Sequence, residues 1–107
     1  MGASKSDSFS EEHNQLATLF KALSHPARIA IIEYLLTVDT CICGDIVNEL
    51  PLAQPTVSQH LSALKNAGII KGNIEGTAIC YCLNMETLQK IEGYFFAITK
   101  KLKGKCC

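Results

Sequence analysis

Apolar residues recur along this chain with two different periods, and the change between them marks out its elements. Leu16, Leu19, Phe20 and Leu23 lie three or four apart and predict a helix with one apolar face. Ser8 and Glu11 stand ahead of it at capping-box spacing. His25-Pro26 ends that helix and starts a second one, with Pro26 in its first turn. Ala27, Ile29, Ala30, Ile32, Leu35 and Leu36 make the second helix apolar on most sides, which predicts the buried centre of the domain. Residues 37–40 are polar and loop-like. A short helix over residues 45–50 carries Ile46, Val47 and Leu50 as its stripe, and Pro51 stops it. After a brief turn to Gln54, Pro55 opens a helix in which Val57, Leu61 and Leu64 face inward. Thr56, Ser58, Gln59, His60 and Ser62 fall on its other faces, and Gly68 can close it in a left-handed conformation. The period then drops to two. Residues 69–74 and 77–83 predict a hairpin turning at Glu75-Gly76. Ile79, Tyr81 and Leu83 take one face of its second strand, and Ala78, Cys80 and Cys82 the other. Asn84 can cap a last helix reaching about Leu102, with Leu88, Ile91, Phe95, Ile98 and Leu102 as its stripe and Tyr94 and Phe96 beside them.

A short helix, a turn and a second helix with small polar and amide side chains on its open face form a helix-turn-helix pattern. Such side chains suit base edges and phosphates. The run PLAQPTVSQHLSALKNAGII, with KALSHPARIAIIEYLL upstream, resembles the ArsR/SmtB family of winged-helix repressors over residues 16–83. The resemblance implies a mainly helical winged helix-turn-helix of order α-α-α-α-β-β-α, with the hairpin as its wing. It also implies a homodimer on a palindromic operator in double-stranded DNA, released when a metal ion, metalloid or reactive sulfur species binds. The expected DNA-contacting residues are Gln54, Thr56, Ser58, Gln59 and His60, with Lys71 near the wing. Gln and Ser can read base edges, and Lys neutralises phosphate. The stripe of the last helix exceeds what a small domain needs on one side, so this helix and the first are expected to form the dimer interface; ordinary core packing is the plainer alternative.

Length and charge narrow the picture. With 107 residues the chain fits one domain. The expected layout is a disordered arm over residues 1–7, a DNA-binding and dimerisation domain over 8–103, and a cysteine-containing tail over 104–107. The 48% hydrophobic content is consistent with burial in a dimer. No apolar run is long enough to span a bilayer, and MGASKSDSFS has no signal-peptide core, so a cytoplasmic location is expected. Ten basic and ten acidic residues cancel, which argues against a strongly basic nucleic-acid binder. The distribution softens that argument: residues 51–74 hold Lys65, Lys71 and His60 and no carboxylate. Modest, salt-sensitive DNA binding is therefore expected. No Ser/His/Asp set, phosphate loop or catalytic carboxylate pair stands out, so no enzymatic activity is expected.

The candidate chemistry lies in six cysteines, which form the close pairs Cys41/Cys43, Cys80/Cys82 and Cys106/Cys107. In a reducing compartment such clusters point to soft-metal binding or redox sensing. In the arsenic-responsive proteins of the resembled family, a Cys-x-Cys at the start of the helix before the recognition helix binds As(III) or Sb(III). Here the pair falls one position earlier, and Gly44 stands where the second thiol would be. Two residues apart on a helix point about 200° apart and cannot share an ion. In extended backbone ahead of Asp45, both Cys41 and Cys43 could reach one. A third thiolate would come from Cys80, Cys82, Cys106 or Cys107, or from a small thiol. No obligatory cofactor is expected; As(III), Sb(III) or another thiophilic ion is the expected inducer. The alternatives are a redox or persulfide sensor using cysteine oxidation and a metal-buffering thiol module that does not bind DNA. Cys-x-Cys is not zinc-finger spacing, and the last helix lacks the Asp-x-His and His-x-x-Glu pattern of the family's zinc sensors. His13 is expected to be exposed and His25 to act as a cap.

Overall fold

The computed structural model describes residues 8–37, 42–43, 53–75 and 78–105, with backbone alone for residues 42–43, 54, 73–75 and 78–80. The expected helix over residues 45–50 and the Glu75-Gly76 turn reach outside the described residues. The elements in order are α1 (Glu11–Leu23), α2 (Pro26–Leu36), β1 (Ile42–Cys43), α3 (Gln54–Asn66), β2 (Ile70–Glu75), β3 (Ala78–Leu83) and α4 (Met85–Leu102). Among the described residues no helix is long and apolar enough to cross a membrane.

Local chemistry sets the helix ends. Ser10, not Ser8, caps α1: its hydroxyl accepts from the His13 N–H at 3.0 Å. The helix itself begins at Glu11, three residues after Ser8. His25 caps α2 as expected, its Nδ1 accepting from the Ala27 N–H at 3.0 Å, with Pro26 following in the first turn. Asn84 caps α4 through the Glu86 N–H. At the end of α3, Gly68 adopts φ +81°. Its N–H donates to the Lys65 carbonyl and the Ile69 N–H donates to the Leu64 carbonyl, the paired bonds of a Schellman closure. That closure turns the chain directly into β2.

The core joins α1, α2, α3 and the start of β2. Leu19, Ala22, Ile31, Leu35, Val57, Leu61, Leu64, Ile69 and Ile70 are buried together, with Tyr81, Leu83, Leu88 and Ile91 packed against them. Val57, Leu61 and Leu64 of α3 turn inward as their spacing predicts. The second helix departs from expectation. Ile31 and Leu35 are buried, but Ile29 and Leu36 are exposed, so α2 is covered along one side rather than all round.

The sheet holds three strands rather than the expected two, in the order β1-β3-β2, all antiparallel. β2 and β3 form the hairpin, running from Ile70 opposite Leu83 to Glu75 opposite Ala78. β1 adds to the free side of β3, with Ile42 opposite Tyr81 and Cys43 opposite Cys80.

Candidate nucleic-acid interface

α3 carries the expected polar face. It starts after Ala53, which offers no side-chain cap, and Pro55 occupies its first turn. With Val57, Leu61 and Leu64 anchored in the core, Ser58, Gln59 and Ser62 are left exposed and Thr56 half-buried. The side chain of Gln54 lies outside the described residues. Exposed hydroxyl and amide groups on one helix face offer donors and acceptors matched to base edges and phosphates.

His60 does not belong to that face. It is only 8% exposed. Its Nδ1 accepts from Arg28 Nε at 3.1 Å, and its ring lies 4.3 Å from that of His25. Position 60 follows Val57 by three residues and precedes Leu64 by four, which puts it on the inward stripe of α3. Burial, with the nearby charges of His25 and Arg28 adding to it, holds the His60 imidazole below its usual pKa. The bond from Arg28 joins α3 to α2 through this buried ring.

Arg28 is the residue that sequence reasoning missed. Besides His60, its guanidinium donates through Nη1 to the Ala22 carbonyl at 3.2 Å. It therefore ties together the end of α1, the start of α2 and the middle of α3. The available signal was the single cation in a helix whose one other charged residue is Glu33.

Two exposed lysines lie beside the polar face. The Lys65 side chain crosses β2, close enough that a Cβ on Gly72 would stand 3.3 Å from its Cε and Nζ. Side-chain-free Gly72 thus leaves room for Lys65 to lie over the strand. Lys71 stands on β2 opposite Cys82. The cations therefore sit where the helix meets the hairpin.

The cysteines fall into three groups. Cys43 and Cys80 are register partners across β1 and β3. Cys82, two residues along β3, is half-buried and disulfide-bonded. Cys41, Cys106 and Cys107 lie outside the described residues. Among the described residues, no group of three or more His, Cys, Asp or Glu is arranged to hold a metal ion.

The chain matches the model of the arsR family of bacterial regulatory proteins over residues 25–71. It is 38% identical over 82 residues to an uncharacterised HTH-type transcriptional regulator of Methanocaldococcus jannaschii, covering 76% of this chain and 91% of that one. It is 30% identical over 95 residues to the arsenical resistance operon repressor of Staphylococcus xylosus, covering 89% and 90%. The fold superimposes on an ArsR-like transcriptional regulator from a Rhodococcus strain with TM-score 0.72 at 24% identity, over 85% of each chain. With its wing, its core-anchored recognition helix and these relatives, the chain belongs to the ArsR/SmtB family of winged helix-turn-helix, DNA-binding transcriptional regulators, which are not enzymes.

Proposed function

We propose that the protein is a homodimeric repressor that inserts the exposed face of α3 into the major groove of a palindromic operator and leaves it when a thiophilic inducer binds. The observation that carries this reading is the division of α3. Val57, Leu61 and Leu64 are buried in the core while Ser58 and Gln59 are exposed beside them. A helix held rigidly from behind and polar in front is what groove reading requires. Ser58 and Gln59 contact base edges, with Thr56 and Gln54 nearer the helix start. Lys71, with Lys65, neutralises phosphate at the wing. His60, given its burial, acts behind the helix.

The two-fold partner is supported by the outer side of α1 and α4. Phe20 packs its ring 5.9 Å from Tyr94 and 5.6 Å from Phe95. Tyr94 and Phe95 of that cluster remain exposed, as do Phe96, Ile98 and Leu102 along α4. A row of large apolar side chains of this kind marks a protein interface, and a second copy supplies the same row by symmetry.

As(III) or Sb(III) is the leading inducer. The name of the Staphylococcus xylosus relative couples it to arsenical resistance, and soft ions seek thiolates. Of the metal ligands expected from sequence, Cys43 belongs to β1 and Cys41 lies outside the described residues, with Cys80, Cys82, Cys106 and Cys107 as further sulfur donors. A second reading, cysteine oxidation, is favoured by one observation: Cys82 is disulfide-bonded.

The test is an operator selected from a random duplex library by the reduced wild-type protein. Ser58→Ala/Gln59→Ala loses the electrophoretic shift of that duplex and keeps the wild-type unfolding curve. Unchanged affinity in the double variant rejects α3 as the reading helix.

A further inference from the structure

Two histidines meet at the corner where α1 ends, α2 begins and α3 passes. The His25 and His60 rings lie 4.3 Å apart. Each uses its Nδ1 as an acceptor: His25 from the Ala27 N–H that opens α2, and His60 from Arg28 Nε. A neutral imidazole that accepts through Nδ1 carries its proton on Nε2. Both rings are therefore held in the same neutral tautomer. In each, the atom that takes up a second proton is the one already making the structural bond.

We propose that the His25–His60 pair is a proton switch on the recognition helix: a proton taken up at Nδ1 unfastens α3 from the corner of α1 and α2, and operator affinity falls. This rests on the operator-binding reading and adds pH to what regulates it. Protonated His60 has no lone pair left for Arg28, whose remaining bond is to the Ala22 carbonyl. Protonated His25 releases the Ala27 N–H and uncaps α2. Either proton also sets a new positive charge against the other ring and the Arg28 guanidinium. His60 is buried, so separating those charges requires α3 to move. Ser58 and Gln59, proposed to read base edges, directly precede it on that helix.

The surrounding charges set the sign. The groups against the His60 ring are Arg28 and His25, so an imidazolium there meets only its own sign from them. Lys21 adds a further cation in the last turn of α1, whose Glu11, Glu12 and His13 stand at the opposite end. Glu33 shares a surface groove with His25 but is exposed, where water and salt screen it. β2 brings the exposed Lys71, with Glu75 at its far end. On α3 itself Lys65 lies over β2. Ordinary electrostatics predicts the reverse of the switch, because a histidine that turns cationic beside DNA strengthens the attraction to phosphate. In the switch, proton and operator each weaken the other's binding by the same factor. The direction of the pH effect therefore separates the two.

The test compares each full-length protein with itself. Affinity for the selected duplex is measured at pH 8 and pH 5.5, at one ionic strength and under reducing conditions. Wild type is expected to bind about fivefold or more weakly at pH 5.5, while His60→Gln and His25→Asn/His60→Gln change by less than about twofold. Gln retains an acceptor for Arg28 and Asn a cap for the Ala27 N–H, and neither titrates. His13 remains in every protein and supplies the ordinary histidine titration. Wild-type affinity that is unchanged or rises as pH falls overturns the switch, and so does an equal loss in the variants. A second arm needs no DNA. In isotope-labelled protein at pH 8, nuclear magnetic resonance should find the His60 proton on Nε2, and acidification to pH 5.5 should move the backbone amides of residues 57–61 in wild type far more than in His60→Gln. Amides of α3 that ignore the titration overturn the release of the helix. Absence of duplex binding at pH 8 defeats the operator reading, and the amides still judge whether a proton frees α3.

Discussion

Arg28 Nε donates to His60 Nδ1 at 3.1 Å, joining the start of α2 to the middle of α3. The bond requires an unprotonated Nδ1, since only that form accepts. The same guanidinium holds the Ala22 carbonyl at the end of α1, so one side chain sets the position of the helix proposed to read DNA. Arg28→Ala removes both bonds and leaves the largely buried His60 without its partner. The expected loss is about 1–3 kcal/mol of unfolding free energy, read from urea denaturation, together with weaker operator binding although residue 28 is not in the proposed contact face.

The buried imidazole gives stability a pH dependence of defined sign. The folded-state pKa of His60 is lowered from 6.5. The unfolded chain therefore binds the extra proton first, and stability falls as pH drops through about 6.5, levelling off only below the folded value. His60→Gln keeps an acceptor for Arg28 but cannot titrate. Between pH 8 and 5 the urea midpoint of the wild type should decline more steeply than that of the variant; parallel profiles would remove His60 as the cause.

Gly68→Ala forces a Cβ into φ +81°. Its nearest neighbour would be Thr87 Oγ1 at 3.5 Å, an ordinary contact, so backbone strain and not crowding sets the cost. About 1–2 kcal/mol is expected from that strain. Leu64→Ala, at a fully buried position of the same helix, should cost more, about 2–5 kcal/mol. The order of the two denaturation midpoints checks the assignment.

The proposed dimer is tested on α4. Phe96 is 65% and Leu102 52% exposed. Phe96→Glu/Leu102→Glu should raise the dimer dissociation constant at least tenfold in sedimentation equilibrium, because two desolvated carboxylates per protomer oppose association. Helical circular dichroism should be unchanged, since neither side chain supports the core.

Most of this fold could be read from local pattern. The inward triad of α3, the Gly68 closure, the Asn84 cap and the extent of α4 all follow from residues within a turn or two of one another. Two features escaped for different reasons. Polarity points His60 outward, although Val57, His60, Leu61 and Leu64 share the i, i+3, i+4, i+7 spacing of a buried stripe. Spacing was the better guide, and Arg28 supplies the polar partner that makes burial affordable. β1 escaped because two residues carry no period; Ile42 and Cys43 become a strand only by pairing with β3, a contact distant in sequence. The juxtaposition of Cys43 with Cys80 was invisible for the same reason.

The proposed regulation is a coupling between thiols and DNA. The measurement is fluorescence anisotropy of the selected operator duplex titrated with reduced protein, with and without stoichiometric As(III). The proposed coupling predicts tight binding by reduced protein at low salt and an affinity about 5–150-fold lower with As(III), the range of ordinary allosteric coupling. Identical binding curves with and without As(III) would contradict it for that inducer, and absence of binding by the reduced protein would contradict it altogether.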